Sequence, residues 1–131
     1  MKTIYATGAV VAALLGLLTL PVLADVKDYE FRLVQNQVKK GDEAIVAVRL
    51  LNKKSGKAVP DAVIFAKRID MAPDGMPTMD SPLEQLPPTE PGVYRFKTNL
   101  SMVGGWQLSL GAKVQGEEGT VESKLVLKAV P

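Results

Sequence analysis

Most of the chain consists of short stretches in which apolar and polar residues alternate, separated by glycine, proline and polar residues. Alternation with a period of two is typical of β-strands that bury one face. It predicts strands at residues 29–34, 44–51, 62–71, 92–98, 106–114 and 120–129. Residues 44–51 are almost continuously apolar, which predicts a central strand, whereas residues 38–42 have the composition of a turn.

Two of these strands predict which side chains face the core. In residues 106–114 the alternate positions are apolar and should point inward: Trp106, Leu108, Leu110, Ala112 and Val114. In residues 62–71 the same alternation places Phe65, Ile69 and Met71 on one side. Met71 is therefore predicted to lie at the rim of the core, at one end of its sheet. The glycine pair just before Trp106 predicts a tight turn there.

Residues 72–92 contain six prolines, which exclude a helix or a central strand. We predict a long, stiff loop with a short edge strand at residues 83–86. Loops of this length in compact domains are usually functional or disordered. The chain shows neither a helical period nor an internal repeat. The predicted fold is therefore all-β, an immunoglobulin-like antiparallel β-sandwich of about seven strands that spans residues 25–131.

The first 24 residues have a different pattern. Lys2 is followed by an uncharged, largely apolar run over residues 3–24, which ends in Pro21-Val22-Leu23-Ala24. This is the layout of a secretory signal peptide cleaved after Ala24. The alternative is an uncleaved anchor in the inner membrane, because about 20 apolar residues can just span a bilayer. We expect export to the periplasm in either case.

Charge and composition exclude several classes of function. Beyond the signal, 15 basic residues (the 16 of the chain without Lys2) face 14 acidic ones, so the domain is nearly neutral and gives no reason to expect nucleic-acid binding. The sequence contains no histidine and no cysteine. Without histidine, serine and threonine hydroxyls lack their usual activating base, so we expect no enzyme. We also expect a monomer whose core alone stabilises it.

The methionines gather in one region. Apart from Met1 they are Met71, Met76, Met79 and Met102, three in the proline-rich region and one shortly before Trp106. Thioether sulfur selects soft ions such as Cu(I) over harder divalent ions, and it carries no proton that could oppose binding. In a sandwich, the strands that end at Met71 and begin near Met102 can be neighbours. These residues therefore predict a Cu(I) site with the four methionines as ligands.

Two other interpretations remain open at this point. Methionine fills irregular gaps well, so the same residues could form an apolar plug at the end of the sandwich. Asp70, Asp74 and Asp80 offer oxygen ligands, although their spacing does not match a calcium-binding loop, and Asp74-Gly75 is a common turn pair.

Three elements resemble a known family. They are the Met/Pro/Gly segment after the third strand, Pro91-Gly92-Val93-Tyr94, and Met102-Val103-Gly104-Gly105-Trp106. From about Ala44 onward the chain resembles the YtkA-like/FixH-like domains, small exported β-sandwiches often encoded with copper and heavy-metal handling machinery. The resemblance implies a non-enzymatic protein that binds or delivers copper. The alternative function is a metal-free interaction module of a membrane efflux or oxidase-assembly system. In that case the Met/Pro/Gly segment at residues 70–80 is the surface that contacts the partner.

Overall fold

The computed structural model describes residues 26–131, so the predicted signal at residues 1–24 lies outside the described residues. Nine strands make up most of this region: β1 (Tyr29–Leu33), β2 (Gln37–Lys39), β3 (Gly41–Asn52), β4 (Val63–Met71), β5 (Met76–Ser81), β6 (Leu83–Leu86), β7 (Val93–Leu100), β8 (Gly104–Lys113) and β9 (Val121–Val130). Short 3-10 turns occupy Val26–Asp28 and Ala72–Asp74.

The strands form two sheets with a shared core. One sheet has the order β1-β3-β7-β6 and the other the order β2-β9-β8-β4-β5. All pairings are antiparallel except that of β2 with β9, which is parallel. The predicted all-β sandwich is confirmed, and β3 is the central strand that its apolar run indicated, since it lies between β1 and β7.

Two predictions about the irregular regions were wrong. Val38 and Lys39 lie in the predicted turn but belong to strand β2, because their backbone pairs with the end of β9. The predicted loop contains β5 as well as the expected β6, so the prolines exclude a central strand but not an edge strand. Between these two strands the chain passes from the edge of one sheet to the edge of the other. Ser81 Oγ donates to the Asn99 carbonyl at 2.6 Å, and Thr98 Oγ1 donates to the Pro82 carbonyl at 2.7 Å, which holds this crossover to β7.

The inward-facing side chains of β8 are those that the alternation predicted. Trp106, Leu108, Leu110, Ala112 and Val114 are all buried. They meet Phe31, Val46, Val48, Leu50 and Phe96 from the opposite sheet in one apolar core. Removal of this apolar surface from water is the main source of stability for a domain without disulfides.

The prediction for Phe65 was wrong. Phe65 is 57% exposed, whereas Ile69 and Met71 on the same strand are completely buried. The register of β4 against β8 shifts between Ile64 and Ala66, and such a bulge reverses the side chains that precede it. A sequence period cannot show where a bulge occurs.

Tyr94 fastens β7 to the segment between β3 and β4. Its hydroxyl donates to the Val59 carbonyl at 2.5 Å and accepts from the Ala62 N–H at 3.0 Å. Burial raises the pKa of Tyr94 above its ordinary value of 10.0, and nearby Asp61 adds to the rise. The phenol is therefore neutral over the physiological pH range, as its hydrogen bond to the Val59 carbonyl requires.

Within residues 26–131, no helix is long and apolar enough to span a membrane.

Candidate metal site

Three strand termini meet at one end of the five-stranded sheet. Strand β4 ends at Met71, β5 begins at Met76, and the two residues are register partners. Asp70 pairs with Gln107 on the other side of β4, so the start of β8 lies at the same end of the sheet. Met102 lies two residues before β8 begins. The backbone thus brings Met71, Met76 and the segment of Met102 to a common edge.

Met79 reaches this end through an irregularity in β5. The register passes from the Asp70–Asp80 pair directly to the Met71–Met76 pair, so residues 77–79 form a bulge without partners on β4. The Arg68 guanidinium holds the bulge, since its Nη2 donates to the Pro77 carbonyl at 2.7 Å. Met79 is therefore carried on a bulge beside the Met71–Met76 pair.

The four methionines occupy two different environments. Met71 is completely buried, and Met76 is partly buried and packs against the core. Met79 and Met102 are 37% and 41% exposed. The apolar-plug interpretation accounts for Met71 and Met76, because both fill space in the packed interior. It does not account for Met79 and Met102, whose side chains are accessible to solvent.

The paired glycines do not form the predicted tight turn, because they are the first two residues of β8. They leave room for the Ala72–Asp74 turn to lie against this strand. A Cβ on Gly104 would be 2.2 Å from Asp74 Oδ2 and 3.0 Å from the Met71 methyl carbon, and a Cβ on Gly105 would be 2.9 Å from Pro73 Cβ. Gly104 also has a φ of +142°, which L-residues rarely adopt.

Two hydrogen bonds connect the start of β8 to the Ala72–Asp74 turn and to the backbone of Met102. The Gly105 N–H donates to Asp74 Oδ2 at 3.1 Å, which joins the turn after β4 to β8. The buried Trp106 ring donates from Nε1 to the Met102 carbonyl at 3.0 Å. The Met102–Trp106 element that carried the family resemblance thus has a structural basis, since the tryptophan fixes the backbone of the methionine.

The aspartates of the calcium interpretation have other partners. Asp70 is buried, and its carboxylate accepts from Arg68 Nε at 2.9 Å and from the Ala72 N–H at 2.8 Å. Asp80 accepts from Arg68 Nη1 at 3.0 Å, and Asp74 accepts from Gly105. Among residues 26–131 there is no group of three or more carboxylate, histidine or cysteine side chains that could hold a metal ion.

Arg68 was not among the predicted site residues, although its guanidinium contacts Asp70, Asp80 and the Pro77 carbonyl. One signal was present, because residues two apart on a strand share a face and Arg68 therefore lies beside Asp70. The contacts across to β5 had no such signal, because residues 72–92 were predicted as a loop.

The family model described as YtkA-like matches residues 23–111, which is more than half of the chain. The chain belongs to the YtkA-like family. No curated protein matches it. As a YtkA-like protein it carries all four candidate methionines and the Gly104-Gly105-Trp106 element inside the matched region. The match begins ahead of β1, earlier than the resemblance from Ala44 indicated, and ends within β8.

Strand β9 lies beyond the matched residues but is integral to this YtkA-like domain. It pairs with all of β8 except Lys113, from Gly104–Ala129 to Ala112–Val121, and Leu127 and Ala129 are buried. β9 therefore supports the strand whose start forms one wall of the candidate site.

Proposed function

We propose that this YtkA-like protein binds Cu(I) through methionine sulfur at the Met71–Met76 end of its five-stranded sheet. It acts without catalysis, as a copper-binding or copper-delivery protein of the periplasm. The observation that carries the proposal is the placement of Met71, Met76, Met79 and Met102 at one sheet end, two of them packed and two open to solvent. Core packing does not explain Met79 and Met102, because both are exposed at this edge.

The two environments suggest a division of roles. Met71 and Met76 form a base that the core holds in place, whereas Met79 on its bulge and Met102 before β8 provide sulfurs that can close over an ion. Three or four thioethers satisfy Cu(I), which prefers soft ligands. An ion held partly by exposed ligands remains accessible to the ligands of an acceptor protein, as delivery requires.

Export is part of the proposal. The pattern of residues 1–24 supports it, with an inner-membrane anchor as the alternative. Thioether ligands suit an oxidising compartment because they cannot be lost to disulfide formation, and the chain contains no cysteine.

The test is an anaerobic Cu(I) titration against a competing chelator. We expect about one ion per chain and a Kd nearly independent of pH between about 5 and 8, because no ligand must lose a proton. Replacement of Met76 and Met79 together by leucine should raise the Kd by at least about tenfold while the fold persists, because leucine keeps apolar volume without sulfur.

Two single variants serve as a control and as a test of the role of Met71. Val103→Leu is the matched control, because it changes an exposed apolar side chain beside Met102 and removes no sulfur. Met71→Leu distinguishes a ligand from a plug: a plug tolerates it with an unchanged Kd, and a ligand does not. If the Met76/Met79 variant binds Cu(I) as tightly as the parent protein, the site is wrongly assigned.

A second function is favoured by the exposure of Met79, Met102 and Val103 on the same edge. The methionine side chains are flexible, and with Val103 they form an apolar edge that suits an adaptable contact with a membrane efflux or oxidase-assembly protein. If this second function is correct, the isolated protein does not bind a metal ion. The function also requires co-purification with a partner that is lost when the bulge at residues 77–79 is shortened.

A further inference from the structure

The outer face of the five-stranded sheet contains a groove of about 460 Å³ that the metal proposal does not use. Residues of β4, β8 and β9 line it, among them Phe65, Ala66, Ser109, Gly111, Glu122 and Lys124. Gly111 forms its floor and Phe65 one wall, since a Cβ on Gly111 would be 3.4 Å from Phe65 Cζ. The ring therefore lies along the sheet instead of projecting from it.

A second apolar position lies on the same face. Val126 is 57% exposed, as is Phe65. Gly111 pairs with Glu122 and Gln107 pairs with Val126, so the two apolar positions are four residues apart along the sheet. At about 3.3 Å per residue, that separation is about 13 Å. Val126 lies outside the lining of the groove, beyond Lys124 along β9. Two exposed large apolar side chains on one face of a sheet are typical of an interaction surface.

Cationic side chains outnumber carboxylates in the lining of the groove, where Lys67, Arg68 and Lys124 lie with Glu122. Lys124 lies between the two apolar positions, and Lys113 and Lys128 lie on the same outward rows of β8 and β9. None of these three lysines takes part in an ion pair among residues 26–131. Arg68 is occupied by Asp70 and Asp80, and Glu122 is the one carboxylate that lines the groove.

We propose that the outer face of β4, β8 and β9 binds an acidic, extended segment of a partner protein. Its apolar side chains would be about four residues apart, one on Phe65 and Gly111 and the other on Val126, with carboxylates between them facing Lys124. A second copy of the chain is a poor occupant, because two faces rich in lysine repel each other. A membrane is a poor occupant because the groove is concave and the Phe65 ring does not project.

The test measures binding of a labelled eight-residue peptide to the purified full chain by fluorescence anisotropy. The peptide carries two leucines four positions apart with glutamates at the other positions, and its control carries lysines in place of the glutamates. We expect saturable binding of the acidic peptide alone, weakened by salt because the charges are exposed.

Two variants should each raise the Kd by about tenfold: Phe65→Ser, which removes the apolar wall, and Lys124→Glu, which reverses the central charge. Ile45→Ser is the matched control, because Ile45 is 40% exposed on the other sheet. If Phe65→Ser lowers the unfolding temperature, its effect on binding cannot be separated from its effect on the fold, and the Lys124→Glu result then decides the test. Cu(I) binding should be unchanged in all three variants, so this proposal and the metal proposal can fail separately.

Several results would overturn the proposal. They are absence of saturable binding of the acidic peptide, equal binding of the lysine peptide, or an equal loss in Ile45→Ser. Each alternative occupant predicts a different result. If a membrane covers this face, the protein binds phosphatidylglycerol vesicles and not the peptide. If a second copy of the chain covers it, the protein sediments as a dimer, and Phe65→Ser dissociates that dimer.

Discussion

Gly104→Ala tests whether the close contact between the Ala72–Asp74 turn and β8 organises the candidate site. The new Cβ would be 2.2 Å from Asp74 Oδ2 and 3.0 Å from the Met71 methyl carbon. The Asp74 carboxylate would have to move away, which breaks its hydrogen bond from the Gly105 N–H and costs about 1 kcal/mol. The φ of +142° adds about 1–2 kcal/mol of backbone strain for alanine. We therefore expect a loss of about 2–3 kcal/mol in the free energy of unfolding.

Urea denaturation, followed by the fluorescence of the buried Trp106, measures this loss. Gly56→Ala is the control, because Gly56 has a φ of +73° but open space around it, so alanine there should cost only about 1 kcal/mol of backbone strain. In an Asp74→Ala background, Gly104→Ala should cost about 1 kcal/mol less than in the parent, because the nearest contact is gone. Equal losses for Gly104→Ala and Gly56→Ala, or additive effects with Asp74→Ala, would refute the packing argument.

Two further substitutions test the contacts that hold the sandwich together. Tyr94→Phe leaves the Val59 carbonyl and the Ala62 N–H without their partner, which should cost about 1–3 kcal/mol in urea denaturation near pH 7. The raised pKa of Tyr94 makes its contribution complete below pH 10.0 and lost as the pH rises through the raised value. The variant should therefore lose less stability than the parent as the pH rises above 10.0, and an equal loss would contradict this. Arg68→Met removes the charged partner of the buried Asp70 carboxylate, which keeps its hydrogen bond from the Ala72 N–H, and should cost about 1–3 kcal/mol. The loss should be smaller in an Asp70→Asn background. An unchanged stability of Arg68→Met would show that the guanidinium is dispensable.

The parts of the fold that follow a regular period could be predicted from sequence. The alternation over residues 106–114 identified every buried side chain that β8 and Val114 contribute. Alternation also predicted Met71 at the rim of the core, at one end of its sheet, and Met71 is completely buried where β4 ends. The prediction failed at Phe65, because the bulge between Ile64 and Ala66 depends on how β4 pairs with β8 and leaves no trace in the pattern of β4 itself.

The proline-rich segment shows a different limit. Prolines indicate where a central strand cannot form, but an edge strand needs hydrogen bonds on one side only. Residues 76–81 therefore pair with β4 despite Pro77. Gly104 and Gly105 were interpreted by local turn chemistry, whereas their role is to admit the Ala72–Asp74 turn, which lies about thirty residues earlier in the chain. Contacts at such distances become visible only in the folded structure.

The crossover from β5 to β6 also affects how neighbouring molecules meet. These strands are the outermost members of both sheets on one side, where unpaired backbone groups could recruit a strand from another chain. Pro77 and Pro82 have no N–H to offer, and β6 is only four residues long and is followed by Pro87 and Pro88. The edge that bears the exposed Met79 is thus a poor template for intermolecular β-pairing. Reactive thioethers can remain open to solvent there without making the protein prone to aggregate.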